Sequence, residues 1–111
     1  MSLQQNQNNQ AWYALTFCEQ MGNIGSEISR AINWQRKNNR DQMEKALVRG
    51  FDLFDMTLND DRYKKYGGKL KEAARAREVV ADYFYGGNFY RSDANFLNKY
   101  FYYFGVAARK K

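Results

Sequence analysis

Apolar and small residues recur at alternating intervals of four and three positions along most of the chain. A repeat of 3.5 residues is typical of helices that pack side by side. The first such stretch runs from about Gln10 to Lys37, and the spacing returns in three later segments. The sequence therefore predicts four helices. The stripe of the first helix consists of Ala14, Cys18, Met21, Gly25, Ile28 and Ile32.

Polar and glycine-containing breaks separate the predicted helices. Asn39 and the glutamine three residues later have the pattern of a capping box, so the second helix is predicted over residues 40–58. A glycine pair precedes the third helix, which is predicted over residues 69–85. The fourth helix is predicted to begin after an N-cap at Ser92 and to end near residue 108. Short connections between four helices favour an antiparallel up-down-up-down four-helix bundle.

The composition agrees with this all-α fold. The chain of 111 residues contains no proline, which all-β proteins use at turns and sheet edges. Its length is sufficient for one domain with a buried core. We therefore predict a single four-helix-bundle domain over residues 11–111. Residues 1–10 are rich in Gln and Asn, and we expect them to be disordered.

Small residues in the first two predicted helices indicate positions where another backbone comes close. A glycine inside a helix costs about 1 kcal/mol relative to alanine, so its presence there suggests a packing requirement. The small residues of the first helix form two rows, four residues apart on two faces, which predicts close approach by a neighbouring helix and by another subunit. This packing seam consists of Gly22, Gly25, Ser26, Ser29 and Gly50.

The fourth predicted helix is apolar over an unusually wide arc. Its aromatic and aliphatic residues between Phe96 and Ala107 cover more than one face. A helix of this kind generally buries two sides. Either the second side is a subunit interface, which favours a homo-oligomer, or the bundle has a bulky core with tyrosine hydroxyls at its rim.

Histidine is absent and Cys18 is the single cysteine. A zinc site of His and Cys ligands, a Ser-His or Cys-His nucleophile and the Glu-x-x-His ligands of di-iron bundles are therefore excluded. We expect no cofactor, no metal and no enzymatic activity. One cysteine forms no internal disulfide, and no signal peptide or apolar run of membrane-spanning length is present, so we expect a soluble cytoplasmic protein.

Positive charge is concentrated in one stretch. Residues 62–77 contain seven basic residues and one acidic residue, a net charge of +6 that equals the charge of the whole chain. A localised basic segment is typical of proteins that bind phosphate backbones, and tyrosines within it can stack on unpaired bases. We predict contacts with single-stranded or structured RNA or DNA, or with a ribonucleoprotein. The predicted phosphate contacts are Arg62, Lys64, Lys65, Lys69, Lys71, Arg75, Arg109, Lys110 and Lys111, and the predicted stacking residues are Tyr63 and Tyr66. A solvated basic face without a partner is the alternative.

Acidic pairs on the second and third predicted helices suggest a different function. Asp52 and Asp55 share one helix face, and Glu78 and Asp82 share another. Facing pairs of this kind hold Mg²⁺ in all-α nucleotide pyrophosphatases, although the dense Glu-Glu-x-x-Glu run of that family is missing. Ion pairs with nearby arginines are the favoured interpretation. We also predict one buried polar network of Glu27, Arg30, Arg77 and Asp82, since a buried guanidinium needs a carboxylate partner.

Over residues 11–111 the chain resembles a known class of proteins in architecture and charge rather than in a diagnostic motif. A short, basic, histidine-poor four-helix bundle with a wide aromatic last helix resembles the accessory variability determinant proteins of diversity-generating retroelements. It also resembles the related bundles encoded in ribosomal RNA intervening sequences. The resemblance implies a bacterial or phage protein that forms a ring-like homo-oligomer, usually a pentamer, with a basic surface. The retroelement members bind the reverse transcriptase and its RNA or cDNA-coding template. A structural protein-interaction module that binds no nucleic acid is the remaining alternative.

Overall fold

A computed structural model describes residues 9–65 and 67–110, and helices are the only regular secondary structure within these ranges. This confirms the predicted all-α class. Residues 1–8 of the predicted disordered tail, together with Tyr66 and Lys111, lie outside the described residues. The helices are α1, which includes residues 9–13, α2 (Phe17–Arg36), α3 (Arg40–Leu58), α4 (Gly67–Tyr85) and α5 (Ala94–Arg109), with a 3₁₀ turn at Asp61–Tyr63 between α3 and α4.

The predicted first helix, from about Gln10 to Lys37, is in fact two helices. Thr16 ends the first segment and caps the second: its side chain accepts a hydrogen bond from the backbone N–H of Glu19, and the Glu19 carboxylate accepts one from the Thr16 N–H. This reciprocal capping box fixes the start of α2 at Phe17. Ala14, predicted to lie in the core stripe, is exposed in the break, and Gln10, predicted to be disordered, lies in α1.

The other helix boundaries lie close to the predicted ones. α3 spans the predicted residues, and the Asn39 side chain accepts a hydrogen bond from the backbone N–H of Gln42. α4 includes both glycines that were expected to precede it. The N-cap of α5 is Asp93 rather than Ser92, because the Asp93 carboxylate accepts from the Phe96 N–H at 2.7 Å. Ser92 is instead buried, and its backbone N–H donates to the Asn88 side chain.

α2 is the central helix of the fold. It packs against α3 on one side and α5 on the other, while α4 packs mainly against α3. Fully buried residues of α2 supply much of the core, with contributions from every long helix. The largest core residues from the four are Met21, Ile24, Ile28 and Ile32 of α2, Leu47 and Phe54 of α3, Val80 of α4, and Leu97 and Phe101 of α5.

The glycines of the predicted packing seam lie where helices cross. A Cβ added to Gly22 would lie 3.4 Å from the Cα of Gly105, and one added to Gly25 would overlap Phe101. A Cβ added to Gly50 of α3 would lie 3.2 Å from the Cδ1 of Ile28. Both α2 glycines therefore face the same helix, α5, which corrects the expectation that their two rows meet different neighbours. Ser26 is exposed and Ser29 is half-buried, so neither is covered by a helix.

No helix in the described ranges combines the length and the apolar character that crossing a bilayer requires.

Candidate nucleic-acid interface

Ring contacts bring four parts of the chain together at one end of the molecule. Phe17, at the start of α2, contacts Tyr63 of the 3₁₀ turn and Phe104, near the end of α5, with ring centroids 5.2 and 5.8 Å apart. The Lys69 ammonium, at the start of α4, lies over the rings of Phe17 and Tyr63, 6.0 and 5.8 Å from their centroids. The basic segment and the basic C-terminus of α5 therefore share an end. We call Lys64, Lys65, Lys69, Arg109 and Lys110 the basic end.

The cations of the basic end are exposed, as predicted phosphate contacts must be. Lys64 forms an ion pair of 3.1 Å with Asp61, whose side chain is 93% exposed. Surface pairs of this kind contribute little free energy, so a phosphate can replace the carboxylate. Lys71 and Arg75 are also exposed, two and six residues after Lys69 in α4. The remaining predicted cation, Lys111, lies outside the described residues.

Two residues of the predicted interface, Arg62 and Tyr63, form hydrogen bonds with buried residues. The Arg62 Nη2 donates to Asp60 Oδ2 at 2.6 Å and to the carbonyl oxygen of Leu15 at 2.7 Å. Tyr63 is only 4% exposed, and its hydroxyl donates to Gln20 Oε1 at 2.8 Å. Arg62 is held by protein acceptors while 44% of its side chain stays exposed, and Tyr63 has no free ring face for the predicted stacking. The other predicted stacking residue, Tyr66, lies outside the described residues.

This interior cluster fixes the position of the basic segment. The Gln20 amide donates to the Trp12 carbonyl oxygen and to Asp60, and the Trp12 indole donates to Thr57 Oγ1. α1, α2 and the end of α3 are thereby joined to the 3₁₀ turn. The Arg62 guanidinium lowers the pKa of Asp60, and burial raises the pKa of Tyr63. The cluster has no local signal in the sequence, because its bonded partners are separated by up to 47 residues.

The predicted network of Glu27, Arg30, Arg77 and Asp82 is divided among three places. Glu27 binds Arg30 of its own helix and Arg49 of α3, the latter at 2.8 Å. Arg77 pairs with Asp55 at 2.9 Å. The Asp82 carboxylate accepts hydrogen bonds from the backbone N–H groups of the two residues after Asn88. The Glu27–Arg30 pair of the prediction is present, but Arg77 and Asp82 do not join it because each has partners elsewhere.

The acidic pairs do not form a metal site. Asp55 is paired with Arg77, and Asp82 is engaged by the loop that follows α4. Across residues 9–65 and 67–110, no group of three or more potential Cys, Asp or Glu ligands comes together. Ion pairing with arginine, the favoured interpretation of these acids, is confirmed for Asp55, although its partner is Arg77 rather than a residue of its own helix.

An open groove runs along one side of the crossing between α2 and α5, with a volume of about 810 Å³. Its floor contains the glycines of the crossing, and polar side chains line its walls beside the apolar surfaces of Phe101 and Ala108. Tyr102 is 60% exposed there, and the exposed Arg109 connects the groove to the basic end. The polar and cationic lining residues are Asn23, Ser26, Ser29, Asn95, Asn98, Lys99, Tyr102 and Arg109. Among them, Ser26 and Ser29 were predicted only as packing residues and Arg109 only as a phosphate contact.

Exposed aromatic residues mark the opposite end. Phe89 is 86% exposed and Phe96 is 55% exposed, in the loop after α4 and in the first turn of α5. The loop is held in place, since both carboxylate oxygens of Asp82 accept hydrogen bonds from it at 3.0 Å. Part of the wide apolar arc of α5 is therefore exposed rather than buried, and the Phe89 ring is kept in solvent by an ordered backbone.

No protein-family model matches the chain, and comparisons with the curated proteins and with the solved structures found no significant match. The resemblance to the accessory proteins of diversity-generating retroelements therefore remains a prediction from architecture and charge.

Proposed function

We propose that this protein is a non-enzymatic, self-associating helical bundle that binds nucleic acid or a ribonucleoprotein through its basic end. The main support for the proposal is that two basic segments, which are far apart in the sequence, lie at the same end of the molecule. The start of α4 and the end of α5 lie against the same Phe17 ring, so their exposed cations form one surface. Such clustering raises the local potential and favours a polyanion over a small ligand.

The proposed arrangement of the four long helices is antiparallel up-down-up-down. In support, the start of α2 contacts the end of α5, and the Tyr83 hydroxyl near the end of α4 donates to Gln35 near the end of α2. Arg77, in the middle of α4, pairs with Asp55 in the last turn of α3. In this arrangement the basic end and the exposed aromatic residues are separated by the length of α5, about 24 Å at 1.5 Å per residue. Nucleic-acid binding and self-association then use different surfaces.

Charge reversal of three lysines of the basic end, together with the neighbouring Lys71, tests the proposal. We expect the quadruple substitution of Lys64, Lys65, Lys69 and Lys71 by Glu to weaken binding to single-stranded RNA and DNA strongly. Each phosphate contact contributes about 0.7 to the slope of log K against log salt for single strands. The slope should therefore fall by about 3, as measured by fluorescence anisotropy over a series of salt concentrations.

A matched control reverses the same number of charges at the other end of α2. Arg36, Lys37, Arg40 and Lys45 are exposed. Arg36 ends α2, about 29 Å from Phe17 along the helix, and Arg40 and Lys45 lie in the first two turns of α3. The control variant should keep most of the affinity and most of the salt slope. Equal losses in the two variants would indicate a response to net charge alone, and unchanged binding after reversal of the basic end would disprove the proposal.

The resemblance adds a partner and a setting to the proposal. A reverse transcriptase of a diversity-generating retroelement would be the protein component, the protein would form a homo-oligomer such as a pentamer, and the site of action would be the cytoplasm. Co-purification of this protein with the reverse transcriptase from the same genome tests that part separately, because nucleic-acid binding by the basic end does not depend on it.

A further inference from the structure

We propose that the groove between α2 and α5 is the track of a single nucleic-acid strand, which Tyr102 holds by stacking on an unpaired base. The inference rests on the proposed function and deepens it, since it concerns the path of the strand beyond the basic end and the kind of nucleic acid that is bound. Its own evidence is the chemistry of the groove, which is separate from the charge of residues 62–77.

The dimensions of the groove suit an extended ligand. Its volume of about 810 Å³ lies within the range of ligand clefts, roughly 300–1,000 Å³. The glycines at the crossing keep the floor low, because no side chain of Gly22 or Gly105 projects into it. The groove is open to solvent, so an extended strand can enter it from the side.

The side chains of the groove match the parts of a nucleotide. Tyr102 presents an exposed ring, and base-aromatic stacking tolerates any sequence. The amides of Asn95 and Asn98 carry donors and acceptors for base edges, and Lys99 supplies a cation for the backbone. Within the described ranges, these two amides and Lys99 have no hydrogen-bond or ion-pair partner. Their polar groups are therefore available to a ligand.

The charge of the groove agrees with the same ligand. Lys99 and Arg109 are its cations, and Glu19 is its one acidic lining residue. The Glu19 carboxylate is engaged by the Thr16 backbone, which lowers the pKa of Glu19. Arg109 belongs both to the groove and to the basic end, so a phosphate backbone bound at the basic end can continue into the groove.

Two adjacent tyrosines provide a matched pair of variants. Tyr102 and Tyr103 are 60% and 59% exposed on the same helix, but only Tyr102 lines the groove. We expect Tyr102→Ala to weaken binding of fluorescein-labelled oligo(U) by roughly 5- to 100-fold, the range expected for one stacked base. Tyr103→Ala should bind as the wild type does. Light scattering on both variants checks that their oligomeric state is the same.

Paired bases supply the second comparison. When oligo(U) is annealed to oligo(A), its bases are no longer free to stack, so Tyr102→Ala and the wild type should bind the duplex equally. Lys99→Gln should lower the salt slope for oligo(U) by about 0.7. Ser26→Trp adds a bulky side chain at an exposed position of the groove wall and should also weaken oligo(U) binding.

The outcomes separate this inference from the proposed function. If reversal of the basic end abolishes oligo(U) binding while Tyr102→Ala and Ser26→Trp leave it unchanged, the strand does not follow the groove and only the proposed function stands. Equal losses for Tyr102→Ala and Tyr103→Ala, or equal effects on oligo(U) and on the duplex, also overturn the inference. A wild-type protein that binds neither probe at low salt overturns both proposals.

Discussion

A single buried carboxylate, Asp60, connects the stability of the protein to pH. Its side chain is 3% exposed and accepts hydrogen bonds from Arg62 and Gln20. These partners lower its pKa from the ordinary value of 3.8. Because the pKa is lower in the folded state, the contribution of Asp60 to stability is complete above the unfolded-state pKa. It is lost as the pH falls from about 4 through the folded-state pKa.

Asp60→Asn should therefore destabilise the protein at pH 7 by about 1–3 kcal/mol, the usual cost of disturbing a buried hydrogen-bonded charge. The difference in the free energy of unfolding between the variant and the wild type should shrink as the pH is lowered from 5 to below the unfolded-state pKa. Urea denaturation at a series of pH values measures both effects. Asp61→Asn is the control, since Asp61 is 93% exposed and should change stability by less than about 0.5 kcal/mol. A difference that stays constant with pH would contradict this account of Asp60.

The environment of Tyr63, three residues after Asp60, could not be predicted from the sequence. Tyr63 lies within a run of basic residues and was expected to face solvent and to stack on bases. Its burial depends on Phe17 and Gln20, which are more than 40 positions away. Residue type and local charge contain no information about such contacts. In contrast, the exposure of the lysines was predictable, because an ammonium group is almost never buried without a partner.

Among the helices, the crossing of α2 and α5 depends on the lack of a side chain at Gly25. A Cβ there would overlap the Cβ of Phe101, which is 4% exposed and close to its own backbone, so the helices would have to move apart. We expect Gly25→Ala to destabilise the protein by about 1–3 kcal/mol through overpacking, despite the better helix propensity of alanine. Chemical denaturation with a helix-sensitive signal measures the change.

Gly68→Ala is the matched control for that substitution. Gly68 also lies in a helix, but nothing lies within 4 Å of an added Cβ. Alanine there should be neutral or should stabilise by up to about 1 kcal/mol, since it restricts the unfolded chain without a clash. If both alanines stabilised the protein, the close approach of α5 to Gly25 would be wrong.

Helix boundaries were predictable where the signal was local. Asn39 and the polar turn after Leu58 delimit α3 as predicted. The same kind of signal was present but not recognised at Thr16, whose glutamate three residues later completes a capping box. The apolar spacing continues through the break at residues 14–16, and it suggested one long helix. Periodicity shows which residues can share a face, but it does not show whether the backbone between them is continuous.

The distribution of charge along the chain was also readable from the sequence, while its arrangement in space was not. The cluster at residues 62–77 and the basic C-terminus appear as two separate features in the sequence. Their meeting at one end depends on the contact of Phe17 with Phe104, which joins residues 87 positions apart. The groove beside α2 likewise needs both helices in place, since its polar residues come from positions 18–29 and 95–109. Interfaces that combine distant segments of the chain can therefore be recognised only once the fold is known.

The exposed rings of Phe89 and Phe96 predict a surface for self-association. The Phe89 ring is 86% exposed on a loop that hydrogen bonds to Asp82 hold rigid, and Phe96 extends the same apolar surface. Exposure of large aromatic rings to water is unfavourable. A second copy of the chain that covers these rings therefore gains free energy on association. The wild type should show a concentration-dependent mass above 13.1 kDa by light scattering, and Phe89→Ser combined with Phe96→Ser should shift it towards the monomer. Tyr102→Ser, which removes an equally exposed ring from the groove side, should leave the mass unchanged. A wild type that is monomeric at every concentration, or equal dissociation in both variants, would rule out this surface, and nucleic-acid binding would then belong to the single chain.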